Sequence, residues 1–260
     1  MTATGVYYIP ESSSSASPSR GTFKSIVDHI SKKYAVEPIG RWALEHRLMR
    51  ETAAQLNRQG QDDRSSADQK NLQILTLSHH PGRSYVGVTT SPRQLPQKGA
   101  TPLSAPSQAG DLTDAVAPPA VIAVPSPVQS EELNSLLLTR MGPLWTSRLT
   151  LVAHGLVFKI GDFGVRVAEV KLGQGSTSSQ TYRGTIIEAE WAAAGGDPSL
   201  PGSLQPEEIE FAEEVIKSLW QELKLPEGKS AIRIPENGEE EFSFNRLNTA
   251  KQYLEVLRSR

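Results

Sequence analysis

The feature that most constrains this chain is a pair of alternating apolar runs lying back to back between Leu149 and Leu172. In the first, Leu156, Phe158 and Ile160 share one phase. In the second, Phe163, Val165 and Val167 take the opposite phase, and the switch falls at Gly161-Asp162. Successive side chains of a strand point to opposite faces, so such runs demand a sheet with at least one buried face. A phase change at a glycine predicts a bulge or tight bend, a device that lets a sheet curl toward a barrel. Another strand is expected from Tyr182 to Trp191, with Ile187, Ala189 and Trp191 on one face and Ile186, Glu188 and Glu190 on the other.

The elements around this region repeat the same two periodicities. Gly5 to Ile9 reads as a strand closed by Pro10, and the serine-rich stretch Ser12 to Ser19 as a loop. Phe23, Ile26, Val27, Ile30 and Tyr34 fall on one helical face, predicting a helix from Thr22 to Tyr34. Between Val36 and Ala53, Trp42, Leu44 and His46 alternate with charged or small residues. Asn71 to Thr89 reads as a hairpin around His80-Pro81-Gly82, after a polar loop from Asn57 to Lys70. A second helix is expected after a Ser130 cap, with Leu133, Leu136, Leu137 and Met141 as its apolar face and Gly142-Pro143 as its end. Glu207, Glu208 and Glu210 open a third, whose stripe is Ile209, Ala212, Val215, Ile216, Leu219 and Leu223. After Glu239 to Glu241 comes a last short helix with Leu247, Ala250, Leu254 and Leu257 on one side, suited equally to a core or to a partner. The expected fold is α+β, a curled, mostly antiparallel β-barrel with flanking helices.

From Ser91 to Ser130 the composition changes, with eight of the chain's 18 prolines and only Arg93, Lys98, Asp111 and Asp114 charged. Such a segment buries too little apolar surface to offset about 1–2 kcal/mol of backbone entropy per fixed residue. The expectation is a long disordered insertion, 91–130, within a single domain spanning 1–260. With 27 Lys plus Arg against 29 Asp plus Glu, the formal charge of −2 gives no general attraction for phosphate backbones. Direct nucleic-acid binding is therefore not expected. Absence of cysteine excludes disulfides, a thiol nucleophile and a cysteine zinc site. No leader is read at the N-terminus, and the apolar run from Ala115 is short and broken by Pro118 and Pro119, so no membrane span is expected.

Several motifs bear on chemistry. Glu188 and Glu190 sit on one strand face, where two carboxylates can hold a divalent cation, as in tunnel-type triphosphatases. Those enzymes need a second glutamate pair on another strand and several inward bases, whereas Glu208-Ile209-Glu210 lies at a helix start. A solvated or channel-facing strand position is the expectation for the pair, and mutating both to glutamine is expected to be milder than Trp191→Ala. Asp162-Phe163-Gly164 lacks every companion motif of a kinase. Gly173-Gln174-Gly175 lacks the third glycine and helix of a dinucleotide fingerprint, so it reads as a turn. His79 and His80, taken as extended chain, send their rings to opposite sides, a poor arrangement for one metal ion, and a structural or exposed role is expected. No hydrolase serine motif occurs. No catalytic, cofactor-binding or metal-binding residue is assigned.

Two blocks carry a resemblance. One is Phe158-x-Ile160-Gly161-Asp162-Phe163-x-Val165-x-Val167-x-x-Val170-x-x-Gly173, followed by Gly184-x-x-x-Glu188-x-Glu190-Trp191. The other is Gly5-Val6, a helix, then Leu72-x-Ile74-Leu75-x-Leu77-Ser78-x-x-Pro81. In this order they resemble the family of Mediator subunit 20, over about half of the chain; the 91–130 segment and the residues after Leu225 depart from it. The resemblance implies a non-catalytic coactivator subunit in the nucleus, within the Mediator head module. It implies pairing with subunit 18 and tethering through the C-terminal part of subunit 8, close to RNA polymerase II and the TATA-binding protein. The alternative is a metal-dependent, tunnel-type phosphohydrolase on a similar barrel. A further expectation is a poor monomer, because Phe163 to Val170 is apolar on both faces and one of them needs a partner to cover it.

Overall fold

The computed structural model describes residues 2–11, 20–52, 69–91, 120–125, 132–133, 135–173, 181–192, 206–233 and 241–258. Nine strands form one sheet: β1 Thr2–Pro10, β2 Gly40–Glu51, β3 Gln69–Leu77, β4 Arg83–Ser91, β5 Ala120–Pro125, β6 Trp145–Ile160, β7 Phe163–Leu172, β8 Tyr182–Ala192 and β9 Lys229–Arg233. Their order is β5-β4-β3-β2-β6-β7-β8-β1-β9, and every pairing is antiparallel. Helices α1 Arg20–Tyr34, α2 Pro206–Glu222 and α3 Glu241–Val256 pack on it. The sheet curls into a half-barrel. That curl explains how α3 touches β1 and β9 at one end of the strand order and β3, β4 and β5 at the other.

Alternation sorts the side chains into an inner face under α3 and an outer face. Inside, Val6, Trp42, Leu44, Leu75, Leu77, Tyr85, Leu151, Ala153, Ala168, Val170 and Ile186 meet Ala250, Tyr253 and Leu254 of α3 and Leu257 just after it. Outside, Ile9, Phe158, Ile160, Val165, Val167, Ile187 and Ala189 meet Ile26 and Ile30 of α1 and Ala212, Ile216, Leu219 and Trp220 of α2. Gly5 makes the second packing feasible, since a Cβ there would lie 2.6 Å from the Ile216 side chain. A smaller outer cluster joins Met49, Leu72, Ile74 and Val86 to Leu137. The last helix is thus a core element, which resolves the alternatives left open by its sequence. Both faces of β7 are covered by the chain's own helices, so the premise for a poor monomer is not met.

One expectation is decided and two change. The phase reversal at Gly161-Asp162, expected as a bulge or a tight bend, is the tight two-residue turn of the β6–β7 hairpin, with Ile160 opposite Phe163. Gly161 has φ +54°, as suits glycine at the first central position of such a turn. The run Ala120 to Pro125, expected within the disordered insertion, is strand β5 along β4. It forms because Val121 packs against the inner core and Val124 against the outer cluster. The helix expected after Ser130 is described only in part, and its last turn, Leu136–Arg140, is π-helical. The rest of the 91–130 expectation, the Ser12 to Ser19 loop and most of the Asn57 to Lys70 loop lie outside the described residues.

Candidate functional site

On the inner face, one group of charges is gathered where β7 meets β8. Register sets Arg166 of β7 directly opposite Glu188 of β8, and Gly164 opposite Glu190. Arg166 Nη1 donates to Glu188 Oε1 at 2.7 Å and to Glu190 Oε2 at 3.1 Å. Tyr253 of α3 donates its hydroxyl to the other Glu188 oxygen, Oε2, at 2.5 Å. His79, from the β3–β4 turn, brings Nε2 to 3.1 Å of that same oxygen, at ion-pair distance without hydrogen-bond alignment. Glu188 is 1% exposed, whereas the Glu190 side chain is 44% exposed.

The electrostatics follow from this packing. Burial alone pushes the Glu188 carboxyl up, but neighbouring His79 and Arg166 and the Tyr253 hydroxyl outweigh it and hold the group well below the usual carboxylate range. Burial, reinforced by the Glu188 charge, drives the Tyr253 hydroxyl well above its ordinary value, so it stays a donor. His80, beside the cluster, is pulled down to about 3, first by burial and then by His79. Tyr85 lies 2.9 Å from the Nδ1 of His80. Two more polar contacts line the same face. His46 Nε2 lies 3.0 Å from Gln73 Oε1, which can only accept, so this nitrogen carries the proton. Burial lowers the His46 ring to about 4. Gln252 of α3 donates to the Thr4 carbonyl at 3.0 Å and to its hydroxyl oxygen at 2.9 Å, fastening the helix to β1.

Glu188 and Glu190 therefore do lie on the inner face together, but with Arg166 between them as their common counter-charge. A carboxylate that is ionised, buried and already holding these partners is poorly placed to accept a proton or to take a cation. Among the described residues, no group of three or more His, Cys, Asp or Glu side chains is arranged for a metal ion. His79 and His80 depart from the extended geometry expected of them: they lie in a turn, their rings stack edge to face at 4.4 Å, and neither is exposed. Asp162-Phe163-Gly164 is the β6–β7 turn and the start of β7. Gly173 closes β7, donating to the Thr150 carbonyl at 2.7 Å, and the residues after it lie outside the described set. Glu210 is exposed on α2, away from the pair. Arg166 and Tyr253 were not singled out in the sequence, and His79 was read there only as a structural or exposed residue. The available signal was Arg166 itself, a charge in the inner phase of β7 between Gly164 and Ala168.

No curated protein matches the chain. Solved structures with a similar fold include the PH1819 protein from Pyrococcus horikoshii OT3, at 13% identity and TM-score 0.38, covering 88% of this chain and 93% of that one. The Schizosaccharomyces pombe Mediator head module is another, at 11% identity and TM-score 0.37, covering 86% and 94%. HpAC1 from Hippeastrum, for which a dominant triphosphatase activity is described, matches at 12% identity and TM-score 0.37, covering 95% of each chain. Likeness at this level carries no functional argument. The model of the family described as the TATA-binding related factor of subunit 20 of the Mediator complex matches residues 1–258. Because that match runs through β1, the sheet, all three helices and the Glu188 cluster, the chain belongs to the Mediator subunit 20 family.

Proposed function

We propose that residues 1–260 act as one unit, a non-catalytic subunit of the Mediator head module in the nucleus. In this reading the chain pairs with subunit 18 and is joined to the rest of the head through the C-terminal part of subunit 8. There it helps link regulators to RNA polymerase II and the TATA-binding protein. The observation that carries the reading is the family match over residues 1–258. The inner face supports it: α3 occupies the concavity, and Arg166 stands where a tunnel-type phosphohydrolase would place a cation between its carboxylates.

The test is co-expression with subunit 18 and the C-terminal part of subunit 8, followed by size-exclusion chromatography with light scattering. A one-to-one complex with subunit 18 is expected. A chain that elutes alone in the presence of both partners overturns the reading. Hydrolysis of a nucleoside triphosphate with Mg²⁺ or Mn²⁺ that is lost in Glu188→Gln would establish the enzymatic alternative instead.

A further inference from the structure

The two ends of the sheet are protected unequally. At one end, β9 carries Lys229 and Arg233, and α3 straps across it: Arg233 pairs with Glu255 at 3.2 Å, and Lys229 reaches the Arg258 carbonyl at 3.4 Å. Charge and a covering helix are the usual means of blunting a sheet edge. At the other end α3 also reaches β5, but the strand carries no charge. Ala120–Pro125 holds no charged residue, and the sequence is uncharged from Ala115 through Val128. Among the described residues, β5 has no strand neighbour on its outer side.

The backbone groups on that side can be read from the proline. Pro125 has no N–H, and a proline in a sheet turns its donor side away from the ladder. Alternation in an antiparallel pair then turns the N–H and C=O of Ala123 and Val121 outward as well, while Val124, Ile122 and Ala120 bond to β4. Side chains add a second observation. Ile122 is 64% exposed, Val88 beside Ala120 is 39% exposed, and Leu136, on the π-helical turn packed over the same outer cluster, is 46% exposed. Three of the five large exposed apolar residues among those described thus belong to this end of the sheet.

We propose that the outer edge of β5 docks one extended strand from another protein of the assembly, short, uncharged and apolar at alternate positions. Val121 and Ala123 would supply the main-chain bonds, and Ile122 the side-chain contact. Strand β5, Ala120–Pro125, offers a ladder of about five residues before its closing proline, the length of an ordinary short strand. An uncharged edge selects against a charged partner strand, whose ionic groups would lose water without compensation. The occupant is taken to be a different protein, not a second copy, because the chain belongs to a family of complex subunits. The inference rests in that respect on the function proposed above.

The experiment compares the wild-type chain with Ile122→Lys, Ala123→Pro and, on the opposite edge, Ser230→Lys. Each is co-expressed with the head-module subunits named above and measured by quantitative pull-down of the purified complex. Ala123→Pro removes an outward donor while sparing the bonds to β4. Ile122→Lys keeps the test decisive if the proline variant fails to fold. Ile122→Lys and Ala123→Pro are expected to weaken the complex by about tenfold or more, a sizeable loss on the affinity scale, with Ser230→Lys close to wild type. Equal complex formation by all four overturns the docking edge, as does a homodimer of the isolated chain that Ile122→Lys dissolves. Failure of the wild-type chain to form any complex removes the functional reading and this inference with it, and is told apart because all four proteins then fail alike.

Discussion

At the scale of single residues, burial reorders what the sequence suggests about Glu188. As one of two acids on a strand it looks replaceable, and the sequence ranks Trp191→Ala as the more damaging change. In the structure Trp191 is half-exposed beside Phe211, while Glu188 is buried with Arg166. Removing one partner of a buried ion pair leaves the other uncompensated and costs about 3–5 kcal/mol. Glu188→Gln is expected to lose about that much in urea unfolding, and Trp191→Ala less. Tyr253→Phe, which deletes a hydrogen bond to a charged acceptor, is expected to lose about 1.5–3 kcal/mol. The buried polar groups of the same face set a pH dependence. Folded His80 and His46 are held neutral, with pKa values near 3 and 4, whereas the unfolded chain binds those protons below about 6.5. Unfolded protein therefore takes up more protons, and stability falls as pH drops from about 6.5 toward 4. The Glu188 carboxylate, depressed in the fold, adds a further loss below the unfolded carboxylate value of about 4.3. Unfolding free energies at pH 7.5 and pH 5 will show this slope, and His46→Gln will flatten it; an unchanged slope would mean that the His46 ring charges in the fold.

At the scale of elements, α3 and β5 are the two pieces whose roles the sequence leaves open. Leu254 of α3 is fully buried against the inner face, so Leu254→Ala should cost about 2–5 kcal/mol, measured as a shift in urea midpoint at constant slope. A wild-type midpoint would place the helix outside the core. For β5, loop-closure entropy varies slowly with length. By that argument alone, removing Pro92 to Pro127 looks harmless. That deletion also takes Ala120–Pro125 from beside β4 and uncovers Tyr85 and Val86. It should lower the melting temperature clearly, whereas removing residues 93–117 and joining the ends by a short flexible linker should not. Equal melting of the two deletions would show that β5 contributes nothing to the fold.

At the scale of the whole molecule, two apolar layers share one sheet, and each is closed by the chain's own helices. The isolated protein is therefore expected to run as a folded monomer by light scattering, and aggregation at micromolar concentration would point to an uncovered face. The sequence by itself determined what rests on near neighbours. Strand alternation set which residues of β7 and β8 share a face, the 3.6-residue period set the stripes of α1 and α2, and Gly161 marked a reversal. Nothing local distinguishes a bulge from a hairpin turn at that glycine, since both reverse phase, and only the pairing of Ile160 with Phe163 decides. Nor does periodicity say what a helix packs against. Tyr253 meets Glu188 across 65 positions of sequence, and Gln252 meets Thr4 across 248. Those contacts exist because the sheet curls far enough for one helix to span both of its ends. That closure is a property of nine strands twisting together, and tertiary structure alone turned one of two glutamates on a strand into a buried, charge-paired anchor for α3.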